Sequence, residues 1–211
     1  YEHFFIIREA LTNHTVCVNW SVYGQFFFNI ILFPLYVLQR FSPINDQLII
    51  LALRYVSTVS AALTVILTFG LARRYFGRLV AWMSSLLLMV VPFIFNFWSV
   101  TSHPDALQMF TVTGSLFAGS EYLLSKKKRW LIISAAFAGF AFSTKYAGLF
   151  LLPVIWLVCL RVFEESPSTL KKELSHLPGL LSALRLMLAT GVSFLIAFFI
   201  TSPCLLLDWD F

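Results

Sequence analysis

The chain has 211 residues, of which 59% are apolar and only 12% charged, with a mean hydropathy of +0.84. Those values exclude an ordinary soluble domain and indicate a polytopic α-helical membrane protein. The net charge of +5 does not indicate nucleic-acid binding, because the basic residues follow the ends of apolar runs and no aromatic stacking platform is interleaved with them.

In chain order, residues 1–47 form an acidic and aromatic segment. Its apolar run, Phe26 to Leu38, is shorter than the about 20 residues that a crossing needs. It also contains Asn29 and Pro34, which favours a juxtamembrane helix lying along the surface. Four segments have spanning or nearly spanning length: Leu48 to Ala72, Leu79 to Val100, Ala106 to Leu124 and Leu186 to Thr201. Trp130 to Phe142 and Ala147 to Val162 are shorter. They read as tilted half-helices bent at Gly148 or Pro153, or as one broken pair dipping into the protein. The expected total is about six crossings. The chain starts at Tyr1 without Met or a leader, so an upstream crossing is expected to be missing.

Charge asymmetry then sets an orientation. The loops Ala72 to Arg78, Ser125 to Arg129 and Arg161 to Arg185 hold eleven of the fifteen Lys and Arg residues. They fall on one side if each intervening helix crosses once, and that side is cytoplasmic. The outer face then collects residues 1–47, the Ser102 to Asp105 turn, Lys145 and the tail from Ser202 to Phe211. Cys17 and Cys204 share this face, where a disulfide is permitted. The glycosylation acceptors Asn13-His14-Thr15 and Asn19-Trp20-Ser21 lie there too.

Asp105 stands out because Ser102-His103-Pro104-Asp105 joins two long apolar stretches. An ionisable group at a membrane surface is a functional candidate. Its alternative is structural, since an Asp here could simply cap the helix that follows.

Several short motifs occur in a fixed order: Tyr23-Gly24, Arg54, Arg73-Arg74-Tyr75-Phe76-Gly77-Arg78, Ser102-His103-Pro104-Asp105, Ser143-Thr144-Lys145-Tyr146-Ala147-Gly148, and Thr201-Ser202-Pro203-Cys204-Leu205-Leu206-Leu207-Asp208. This order resembles glycosyltransferase family 39, which includes the protein O-mannosyltransferases and the bacterial aminoarabinose transferases acting on lipid A. The resemblance implies an all-α GT-C membrane helix bundle, with 1–211 part of one transmembrane domain and 1–47 its first outer loop with juxtamembrane helices. It implies transfer of sugar from a dolichyl- or undecaprenyl-phosphate donor to a hydroxyl of a protein, lipid or glycan acceptor. The expected location is the bilayer of the inner membrane in a prokaryote or of the endoplasmic reticulum in a eukaryote. The family carries an essential acid in the first outer loop, often an Asp-Glu pair, which makes Glu2 a candidate trailing member.

Displacing a lipid phosphate from an anomeric carbon needs a carboxylate to take the acceptor's proton and cations to offset charge on the departing phosphate. Glu2 and Asp105 supply acids in the catalytic role, while Arg54, Lys145 and His103 are candidates for donor phosphate binding. Arg54 and Lys145 could instead be interface anchors, and His103 an interfacial polar residue. His3 and His103 could join the acids around a divalent cation, although four ligands are not visible. The rival reading is a transporter or channel subunit, with Asp105, Arg54 and Lys145 lining a translocation path. A polysaccharide ligase or polymerase of related fold is the third.

Overall fold

The structure, a computed structural model, describes residues 2–15, 24–90, 101–164 and 176–204. All regular structure among these residues is helical: α1 (Glu2–Thr12), α2 (Phe26–Gln39), α3 (Asp46–Val90), α4 (Pro104–Ser125), α5 (Arg129–Thr144), a 3₁₀ turn (Tyr146–Phe150), α6 (Leu151–Glu164) and α7 (His176–Thr201).

The expected pair Leu48 to Ala72 and Leu79 to Val100 is joined differently from the multi-residue basic turn anticipated at Arg73 to Arg78. Helix continues through Arg73 to Phe76 and breaks at Gly77 alone, with φ 87° and ψ 178°. Glycine adopts that positive φ without the Cβ penalty other residues meet. The chain reverses there, because Phe69 and Trp82 meet edge-on at 5.0 Å between ring centroids. An unbroken helix would hold them about 20 Å apart. Val91 to Val100 lie outside the described residues.

Two apolar cores share α4. The first joins α1, α2, α3 and α4 through Ile7, Leu11, Phe27, Phe28, Leu53 and Leu107. The second joins α4 to α7 through Tyr122, Leu131, Ala138, Ile155, Leu186 and Phe194. Small side chains let α5 lie close to its neighbours, as expected of helices packed in lipid. Ala135, Ala138 and Ala141 are fully buried, and Gly139 sits against the backbone carbonyl of Phe194 in α7, leaving no room for a Cβ. Across α4 and α5, Ser134 Oγ donates to the Ser115 carbonyl at 2.8 Å.

Many large apolar side chains face outwards. Ile66, Leu79, Leu188 and Ile200 are each more than 60% exposed, an arrangement suited to hydrocarbon. Among the described residues, two helices, α3 and residues Leu181–Thr201 of α7, are long and apolar enough to cross a membrane.

The break between α5 and α6 is at Lys145, rather than at Gly148 or Pro153 as expected. Lys145 is extended (φ −156°, ψ 132°). Gly148 lies within the 3₁₀ turn, where its missing side chain admits the backbone of Ala141 and Phe142. Pro153 falls in the first turn of α6, where proline is tolerated.

Candidate functional site

The end of the bundle holding the start of α4 also gathers the first turns of α1 and α2 and the last turns of α5 and α7. Local sequence builds its centre. His103 is extended (φ −127°, ψ 133°) and is the N-cap of α4, Pro104 is the first helical residue and Asp105 the second. Proline's fixed φ suits that first position. The alternative reading of Asp105 as a simple cap of α4 does not hold: His103 is the N-cap and its Nδ1 accepts from the Asp105 amide at 3.4 Å, which leaves the carboxylate to other partners.

Those partners are Lys145 and His103. Lys145 Nζ donates to Asp105 Oδ1 at 2.9 Å, reaching from the extended break after α5. Asp105 Oδ2 lies 3.4 Å from His103 Nδ1. The same imidazole nitrogen thus faces both an amide and a carboxylate. It accepts from the first only when it carries no proton and donates to the second only when it does.

Two further residues complete the cluster. Ser57, fully buried on α3, accepts from the His103 amide at 3.2 Å and donates to the His103 carbonyl at 3.3 Å, pinning the turn to α3. His3 of α1 faces the His103 ring at 5.8 Å and is held by the edges of Phe27 at 5.9 Å and Phe28 at 5.7 Å. Burial, then the neighbouring His103, pushes the His3 imidazole down to about 4. Burial also lowers His103, opposed by the Asp105 charge and reinforced by Lys145.

Around this centre, the Gly24 amide donates to the Thr144 carbonyl at 3.0 Å. Asn29 Nδ2 donates to the Thr201 carbonyl at 2.8 Å, and the Ser143 and Ser202 hydroxyls meet at 2.6 Å. A second ion pair belongs elsewhere in the bundle: Arg74 Nε lies 2.7 Å from Glu121 Oε1 and ties the Gly77 reversal to the far end of α4.

Of the residues expected from sequence, the structure brings together Asp105, Lys145 and His103. Glu2 is exposed at the start of α1, beside His3, and its charge is felt there. Arg54 is exposed, one turn before Ser57, and enters no ion pair among the described residues. His3 had been considered only for a divalent cation, and no group of three or more metal-ligating side chains converges among the described residues. Ser57 was not singled out; a lone Ser in an apolar helix resembles Ser60 and Thr64 until the fold shows which one meets a loop. Cys204 is disulfide-bonded and Cys159 is free; Cys17, Asp208 and Asn19-Trp20-Ser21 lie outside the described residues.

The model of the family described as dolichyl-phosphate-mannose-protein mannosyltransferase matches residues 32–205. The chain belongs to this mannosyltransferase family. It is accordingly a membrane glycosyltransferase of the mannosyltransferase type, and its all-α fold is that of a membrane helix bundle. The match includes Arg54, Ser57, His103, Asp105 and Lys145 of the mannosyltransferase, while Glu2 and His3 precede it. Comparison with curated proteins and with solved structures gives no match.

Proposed function

We propose that the protein transfers a sugar from a polyprenyl-phosphate carrier to an acceptor hydroxyl on the outer or luminal face of a membrane it crosses several times. The observation that carries this reading is the Asp105–Lys145 pair at 2.9 Å, with His103 on the other carboxylate oxygen. It supplies a proton acceptor and a phosphate-binding cation within one small reacting centre. The basic loops holding eleven of the fifteen Lys and Arg residues support placing this end away from the cytoplasm.

In the resting arrangement Lys145 occupies the Asp105 oxygen that would otherwise accept a proton. When a donor phosphate arrives, its charge competes for the ammonium, and Lys145 turning towards it frees Oδ1 beside the anomeric carbon. The carboxylate then takes the acceptor's proton while Lys145 offsets charge on the leaving phosphate. Arg54, exposed on α3, is positioned by this reading as a second cation for the carrier's phosphate, and Glu2 as a second acid beside His3. The pair stands at helix ends instead of in a mid-helix break, which favours surface chemistry over a translocation path.

The test is transfer from a labelled polyprenyl-phosphate mannose by the full-length protein in membranes. Asp105→Asn should insert normally and lose at least about 100-fold in rate, the low end for a positioned acid or base. Lys145→Ala should chiefly raise the KM for the donor. Near-full transfer by Asp105→Asn refutes the assignment.

A further inference from the structure

We propose that His103 and His3 form a proton path leading from Asp105 to water on the α1 side of the site. It rests on the site reading above and assigns a working role to His3, which lies outside the family match at residues 32–205.

The path answers a difficulty posed by burial. Asp105 is only 7% exposed, so a proton taken from an acceptor hydroxyl has no direct route to water, and one carboxylate oxygen is already bonded by Lys145. The other oxygen, Oδ2, faces His103 Nδ1 at 3.4 Å. An imidazole has two nitrogens, so a proton can enter at one and another leave from the opposite edge. Beyond His103 lies the His3 ring, edge to face at 5.8 Å between centroids. The two rings are therefore in contact, and a proton passing between them needs hydrogen-bond reach or one bridging water. Phe27 and Phe28 wall His3 on the α2 side and offer no competing polar group. The charged and titratable groups that act on His3 are Glu2 on its own helix and His103 and Asp105 from the start of α4, with Lys145 acting on His103. His3 is itself only part-buried and gives the proton up to water.

In the transfer, the acceptor oxygen bonds to the anomeric carbon as the bond from that carbon to the phosphate oxygen breaks, its electron pair leaving with the phosphate. The acceptor's proton moves to Asp105 and then to His103 Nδ1, while the Nε2 proton of His103 passes to His3, which gives up a proton to solvent. Both rings reset by exchange with water. Burial keeps His3 uncharged near neutrality, so it begins each cycle in the proton-accepting form.

The experiment compares His3→Phe with the parent full-length enzyme. Phenylalanine retains an aromatic ring between Phe27 and Phe28 but cannot carry a proton. We expect kcat to fall at least about tenfold, less than the loss of the primary base would give, with donor binding and thermal unfolding preserved. His3→Ala should be similarly slow and be reactivated by added imidazole but not by benzene, which fills the same space without a proton. Full kcat in His3→Phe, or equal rescue by benzene, makes His3 a packing residue and refutes the path while Asp105→Asn remains inactive. If Asp105→Asn is itself fully active, the site reading falls first and the path with it.

Discussion

Lys145→Met and Asp105→Asn, singly and together, measure how far the central ion pair holds the bundle end. At the observed 2.9 Å, Coulomb attraction is about 6 kcal/mol at an effective dielectric of 20 and about 1.4 kcal/mol in bulk water. The Asp105 side chain is 10% exposed but that of Lys145 is 39% exposed, so the pair lies between those limits and desolvation opposes it. We expect a coupling of about 2 kcal/mol from the double-mutant cycle. The single variants should differ. Lys145→Met leaves a buried carboxylate with only His103, whereas Asp105→Asn leaves an ammonium that can turn to water. Lys145→Met should therefore be the more destabilising by about 1 kcal/mol. Denaturant unfolding of the four proteins in one detergent, at low salt and without donor, supplies the values. A coupling below about 0.5 kcal/mol would mean that the pair behaves as an ordinary surface contact, and the argument that a donor phosphate must compete for Lys145 would fail.

Ser57→Ala removes both hydrogen bonds to the His103 backbone and should cost about 1–3 kcal/mol in thermal unfolding. It should also lower kcat with little change in donor KM, as the turn bearing Asp105 loosens. Gly139→Ala drives a Cβ into the Phe194 carbonyl and should destabilise by at least about 1–3 kcal/mol, because backbone cannot rotate away as a side chain can; unchanged unfolding would refute the close crossing of α5 and α7. His3 is lowered from 6.5 to about 4, chiefly by burial, so the folded state favours its neutral form. That contribution to stability is complete above pH 6.5 and is lost as pH falls towards 4. Unfolding midpoints measured across this range should decline less steeply in His3→Phe than in the parent.

Much of the fold was legible because lipid imposes long apolar runs punctuated by polar breaks. α2, α4 and α5 fall close to the runs from Phe26, Ala106 and Trp130. Asp105, His103 and Lys145 were visible for the same reason, as ionisable residues in those breaks, and their meeting places two chemically complementary breaks side by side. What hydropathy could not show was direction and packing. Gly77 turns the chain in one residue, whereas the run of arginines around it suggested a longer turn. Gly148 suggested a bend, yet its missing Cβ serves a close contact with α5. Ser57 was hidden because its importance comes from facing His103, a relation no single helix encodes. Arg54 shows the converse: its charge within an apolar run was conspicuous, yet it stays exposed and enters no ion pair among the described residues.

The fastening of α2 to α7 bears on the order in which the protein is made. Asn29 bonds Thr201 across 172 residues, while Asp105 and Lys145 are 40 apart and belong to the single hairpin of α4 and α5. At 5–20 residues per second, synthesis separates Asn29 from Thr201 by roughly 10 to 30 s. The ionic pair can therefore close as soon as its hairpin is inserted, whereas α2, among the earliest helices translated, waits for the end of α7 before it is latched. A ribosome-stalled chain ending just after α6 should contain the Asp105–Lys145 pair with α2 not yet bonded to α7.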